Sequence, residues 1–168
     1  VVNYVVTSFD LKLAVLQYYR FGRQCVCVDE CRGADVIVDT GKEIIEVEVK
    51  ISKRDLIYGE RYKVNKHYSY RAAADCRTYC PNRFLFCVPS FLLEDAKKII
   101  QELNPKYGIL IFDKECFEQR VNAGESINHQ RYVCTAKSAK KLHNRYCDNF
   151  RWMISKRISA KLISVMQS

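Results

Sequence analysis

The sequence of 168 residues predicts an α/β fold built around a mixed central sheet. Three patterns carry that expectation. Residues 33–50 read as a β-hairpin, because Ala34 to Asp39 and Ile44 to Lys50 alternate in side-chain character around a short polar turn containing Gly41. Phe84 to Val88 and Tyr107 to Phe112 are short apolar runs without polar alternation, as in strands covered on both faces. Helical periodicity fills the chain before, between and after these strands.

Taken in order, Thr7-Ser8-Phe9-Asp10 opens a first helix with a capping box in which Asp replaces the usual Glu. Leu11, Val15, Leu16 and Tyr19 continue it on one face, and Gly22 closes it. Gln24 to Val28 is a first strand, and Asp29 to Gly33 a turn into the hairpin. Ser52 to Asp55 opens a second helix, with Ser52 as cap and Asp55 where the helix dipole favours an acid. After the strand Asn82 to Val88, a helix runs from Pro89 or Ser90 to Leu103 and turns Phe91, Leu92, Ala96, Ile99 and Ile100 inward. Asn104-Pro105 stops it before the strand 107–112. Phe117 to Val121 reads as a short edge strand, and Thr135 to Gln167 as a long basic helical region, broken near Asp148-Asn149. The order is α-β-β-β-α-β-α-β-(β)-α, in one domain.

Composition narrows the function. Hydrophobic content of 48% and charged content of 28% suit a globular chain with an ordinary core, and no apolar run approaches the ~20 residues of a membrane span. The start lacks a basic region and a cleavage site, so no signal peptide is expected. The nine cysteines are odd in number, contain no C-x-x-C, and fall mostly in apolar segments, which favours reduced thiols and a cytoplasmic location. The net charge of +9 is segregated: residues 1–52 carry 6 basic and 8 acidic side chains, residues 53–83 carry 8 and 3, and residues 135–168 carry 8 and 1. An acidic hairpin flanked by two basic blocks suits a site that receives a polyanion.

The hairpin holds the chemistry. With Thr40 to Glu43 as the loop, Asp39 pairs with Ile44, and Asp35 falls opposite Glu48. Val36, Val38, Ile45, Val47 and Val49 then share an aliphatic face, while Asp35, Ile37, Asp39, Glu46, Glu48 and Lys50 share the other. Like charges opposite one another destabilise a sheet. Two readings resolve the repulsion: a solvated polar face screened by Lys50, or a divalent cation held by Asp35 and Glu48 with Lys50 beside it. Asp39 is a rival for the role of Asp35.

Asp35 on one strand, followed by Glu48-Val49-Lys50 on the next, resembles the motif of the PD-(D/E)xK nuclease superfamily. The stretches Ala34 to Val38 and Ile45 to Ser52, with Asp55-Leu56, are similar to its RecB-like and MmcB-like DNA-repair branches. Gly33-Ala34 stands where the motif has its Pro. The resemblance covers about residues 8–112 and implies a restriction-endonuclease-like αβββαβ core, with 113–168 as a C-terminal extension. It implies a Mg²⁺- or Mn²⁺-dependent deoxyribonuclease in which Asp35, Glu48 and the Val49 carbonyl hold the metal and Lys50 completes the catalytic set. The expected setting is DNA repair, recombination or defence.

The segment after the motif, from Leu56 to Ala74, interleaves basic and aromatic residues as nucleic-acid contacts do. Lys63, Lys66, His67 and Tyr70 resemble the Lys/His/Tyr cluster that follows the E-x-K strand in those branches. With Lys53 nearby, and Lys140, Lys141 and Arg145 on the C-terminal helix, they form the expected DNA contacts. Some members of the superfamily hold an iron–sulfur cluster. The cysteines available for one here, Cys27 or Cys31 with Cys76, Cys80 and Cys147, lack the clustered spacing of those enzymes. A homodimer or a partner protein is compatible with the resemblance. The alternative function is a non-catalytic nucleic-acid-binding protein that keeps the nuclease fold.

Overall fold

Six strands pair in the order β1-β2-β3-β4-β5-β6 to form one mixed sheet. A computed structural model describes residues 3–72, 80–145 and 148–168. The strands are β1 (Val26–Cys31), β2 (Ala34–Asp39), β3 (Ile44–Val49), β4 (Arg83–Pro89), β5 (Gly108–Phe112) and β6 (Val133–Lys137). The helices are α1 (Ser8–Arg20), α2 (Glu60–Tyr62), α3 (Val64–Arg71), α4 (Leu93–Leu103), α5 (Lys114–Asn122) and α6 (Asp148–Met166). The first three strands form an antiparallel meander, β3, β4 and β5 run parallel, and β6 returns antiparallel at the edge.

Local chemistry explains the meander. Arg32 and Gly33 both take positive φ (55° and 73°), so these two residues suffice to join β1 to β2. The first strand therefore extends to Cys31, and the five-residue turn expected at 29–33 shrinks to two. In the second turn Thr40 donates its amide to the Glu43 carbonyl at 3.0 Å, while Gly41 (φ 84°) and its amide, bonded to Asp39 at 2.7 Å, shape the loop. The register is the expected one, with Asp39 opposite Ile44 and Val36 opposite Val47.

The aliphatic face of the hairpin is buried. Val36, Val38, Ile45, Val47 and Val49 pack with Leu85, Cys87, Leu110 and Phe112 against Leu11, Ala14, Val15 and Tyr19 of α1. The capping box of α1 forms: the Thr7 amide donates to Asp10 Oδ2 at 2.7 Å. On the opposite face two apolar clusters form. One joins Phe84, Phe86, Val88 and Tyr107 to Leu56 and α4, and the other joins Val28, Ile37 and Ile44 to Phe150 and Ile154 of α6. Phe84 to Val88 indeed form a strand between two parallel neighbours.

Three sequence expectations fail. Residues 117–121 are helical rather than an edge strand, because the Asp113 side chain accepts the Cys116 amide at 3.1 Å and caps α5, turning Phe117 into the core. Residues 133–137 form strand β6, so the start of the expected helical region, 135–137, is extended instead, since the exposed edge of β5 offers a partner for its backbone. Ala139 then passes so close to Gly108 that a Cβ there would lie 2.7 Å from the Ala139 nitrogen. The C-terminal helix starts at Asp148. Phe91, expected inside, is exposed.

Asn82 ties the sheet to the segment before α6. Its backbone amide donates to the Ile44 carbonyl, and its Oδ1 accepts the Ile44 amide, both at 2.8 Å. Its Nδ2 donates to the Arg145 carbonyl at 2.7 Å, and Asn82 itself is buried. Asn82→Ala keeps the backbone bond but leaves the Ile44 amide and the Arg145 carbonyl without their side-chain partner, and is expected to lower the unfolding free energy by about 3 kcal/mol, measured by urea denaturation.

Candidate functional site

At the C-terminal end of β3 the polar face of the hairpin meets the helical segment 55–71. The register that pairs Val36 with Val47 puts Asp35 opposite Glu48 one step further on. Asp35 Oδ2 accepts the Val49 amide at 2.8 Å, and Oδ1 lies 3.2 Å from Lys12 Nζ of α1. Asp39 sits at the other end of β2, where it holds the hairpin loop and Arg151 (2.9 Å).

Glu48 and Lys50 are only 3% and 5% exposed. Lys50 Nζ lies 2.8 Å from Glu60 Oε1, 3.3 Å from Asp55 Oδ1 and 3.4 Å from Glu48 Oε1. Glu48 Oε1 also pairs with Lys63, and its Oε2 lies 3.1 Å from Lys66. Lys66 reaches Glu46 Oε1 at 2.5 Å, and the Tyr70 hydroxyl donates to Glu46 Oε2 at 2.6 Å. Glu60, with no exposed surface, lies 3.0 Å from Lys63 through Oε1 and 3.0 Å from His67 Nε2 through Oε2, and His67 Nδ1 lies 2.8 Å from the Tyr107 hydroxyl. Three buried carboxylates (Glu46, Glu48 and Glu60) and three ammonium groups thus interleave in a seam between the two apolar clusters of that face, with Asp55 at its exposed rim.

The charges are mutually dependent. Burial pushes the Glu60 carboxyl up, but hydrogen bonds from His67 and Lys50 and the charges of Lys50 and Lys63 outweigh it and hold it at about 2. Glu48 is lowered in the same manner, burial being overcome by Lys66 and Lys63 against the opposing charge of Glu60. Burial lowers Lys63 and Lys66, yet Glu48 and Glu60 raise the first and Glu46 and Glu48 the second, so both end above the ordinary range.

Several expected contacts are placed differently from their sequence reading. Lys66, His67 and Tyr70 turn toward the sheet and into the seam, not outward. Lys63 is half-exposed at the rim, and Lys53 pairs with Asp95 at 2.9 Å on the surface. Lys140, Lys141 and Arg145 do not lie on a helix; Lys141 pairs with Glu43 at 2.7 Å and Arg145 follows the bonds of Asn82. Glu43 and Asn82 mark the start of β3, so these three basic residues gather at the opposite end of the strand from Glu48 and Lys50, on the order of 15 Å away. Cys76 and Cys147, and the end of the basic–aromatic stretch at 73–74, lie outside the described residues.

Sequence reasoning missed Lys12, Glu46 as a bridge, and above all Glu60. A signal for Glu60 existed: it is the lone acidic side chain between Leu56 and Ala74, and a single acid among many bases marks a partner for one of them.

As a metal site, the donor chemistry suits a hard divalent cation, which takes one or two carboxylates and completes its shell with carbonyls and water. Asp35, Glu48 and the Val49 carbonyl are all oxygen donors on adjoining strands. Among the described residues no three His, Cys, Asp or Glu side chains converge as a ready-made cage. Glu46 Oε1 and Glu60 Oε1 are buried and each lies against an ammonium group, Lys66 at 2.5 Å and Lys50 at 2.8 Å. Comparison with protein-family models, curated proteins and solved structures returns no match. Among the described residues no helix is long and apolar enough to cross a membrane.

The seam makes stability pH-dependent. Glu60 has a folded pKa below its unfolded value, so its stabilisation is complete above about pH 4.5 and is lost as the pH falls toward about 2. Glu60→Gln is expected to cost on the order of 3 kcal/mol at pH 7 by leaving Lys50 without its nearest carboxylate. That gap should narrow between pH 4.5 and 2 in urea titrations of the two proteins.

Proposed function

We propose that the protein is a metal-dependent deoxyribonuclease of the restriction-endonuclease-like type, hydrolysing DNA phosphodiesters in repair, recombination or defence. The observation that carries this reading is the buried seam around Glu48 and Lys50, open to solvent at Asp35, Asp55 and Lys63. Buried ion networks are a weak source of stability, and well-packed apolar side chains often serve as well or better. A seam of this size inside an otherwise apolar sheet face is better accounted for by chemistry than by folding. The αβββαβ order of the first six structural units supports the same reading.

Asp35, Glu48 and the Val49 carbonyl would hold Mg²⁺ or Mn²⁺. Bound there, such a cation would supply an acidified water and charge neutralisation at the phosphate. Lys50 orients the attacking water or the scissile phosphate, and its bracing by Glu60 removes the need to order a flexible side chain when substrate arrives. His67, pinned by Tyr107, positions Glu60. Lys12 and Lys63, the partly exposed partners of Asp35 and Glu48, compete with the cation for those carboxylates and hold their charge in its absence.

The engagement of both Glu48 oxygens by Lys63 and Lys66 favours a second reading, a nucleic-acid-binding protein that keeps the fold without hydrolysis. Asp35→Asn separates the two. The amide retains an acceptor for the Val49 amide while removing the charge. On the nuclease reading it abolishes Mn²⁺ binding in calorimetry and lowers Mg²⁺-dependent cleavage of labelled DNA at least ~100-fold, with the melting temperature nearly unchanged. Absence of both metal binding and cleavage in the wild type would leave the binding reading in its place.

A further inference from the structure

The helical segment 55–71 has an outward face that the seam does not use. Leu56, Glu60, His67 and Tyr70 point inward and are buried. Tyr58 and Tyr62 point outward, 59% and 87% exposed, and line one open groove of about 510 Å³ with Ser52, Arg54, Asp55 and Gly59. The residues Asp55–Gly59 form a π-helical turn, a local widening often found at functional sites. Gly59 floors the groove: a Cβ there would lie 2.6 Å from Asp55 Oδ1 and 3.8 Å from Lys50 Nζ. The groove therefore sits directly over the ammonium group of the proposed site.

We propose that this groove is a stacking subsite for unpaired bases of single-stranded DNA, so that the substrate form is a single strand or a single-stranded end. Two exposed tyrosine rings beside one another are a costly surface to leave in water, and their faces accept any base. Arg54 makes no ion pair among the described residues and is placed to meet the backbone phosphate of a base stacked below it. In a duplex the base faces are already stacked, so a paired strand has nothing to offer these rings. The continuity of the groove with Asp55 and Lys50 ties it to the scissile position. The assignment rests on the proposed nuclease reading for the chemistry, but base binding stands apart from it.

The test is fluorescence anisotropy in EDTA, with a labelled oligothymidylate of about 12 nucleotides, a length within the span of such grooves, against a duplex of equal length. Tyr58→Ala and Tyr62→Ala are each expected to weaken single-strand binding about tenfold, with duplex binding unchanged. Tyr58→Phe and Tyr62→Phe keep the ring and restore affinity. Tyr68→Ala, an exposed tyrosine that lines a separate groove with Val64 and Arg71, binds as wild type. Wild-type affinity in both alanine variants, or an equal loss on duplex, overturns the proposal. Cleavage is scored separately: ring-dependent binding with no cutting in any metal keeps the subsite and removes the nuclease, and cutting without ring dependence does the reverse.

Discussion

The contact between Lys50 and Glu60, 2.8 Å long and shielded from water, is the constraint on which the rest of the site depends. A buried ammonium needs a carboxylate close by, and a buried carboxylate needs donors on its remaining oxygen. Glu60 meets the first need, and His67, held by Tyr107, meets the second. Because Lys50 directly follows β3 and Glu60 begins α2, the pair sets how the helical segment lies on the sheet. Lys63, Lys66 and Tyr70 then fall where Glu46 and Glu48 need partners.

This arrangement explains why one basic–aromatic helix has two different faces. Inward positions must satisfy buried acids, so their lysines, histidine and tyrosine are consumed by the seam. Outward positions are free of that demand, and there Tyr58 and Tyr62 stand exposed over the groove. Composition alone groups all of these residues as one nucleic-acid surface. Only the direction of each side chain separates those that organise the site from those able to meet a strand.

The same logic redistributes positive charge. The basic block before α6 gathers around Glu43 and Asn82, where it anchors the start of β3 and β4. The positive charge nearest the candidate site comes from Lys12, Lys50, Lys63 and Lys66, three of them from segments flanking or following the hairpin and one from α1. Stability and site geometry are therefore coupled at one end of the sheet, and the other end is organised by a neutral hydrogen-bonding residue.

The sequence by itself determined the α/β class, the hairpin register that puts Asp35 opposite Glu48, the aliphatic face beneath them and the parallel strands beside them. These follow from turn chemistry and from a side-chain period of two, which act over a few residues. It did not reveal that Glu60 closes the site, that Lys66, His67 and Tyr70 face inward, or that residues 133–137 complete the sheet. Those outcomes depend on partners tens of residues away: a free edge on β5, an unpaired ammonium at Lys50, two acids on β3. Only the tertiary structure brings such partners within reach, and the high cost of burying an unpaired charge or backbone group then leaves the chain one arrangement.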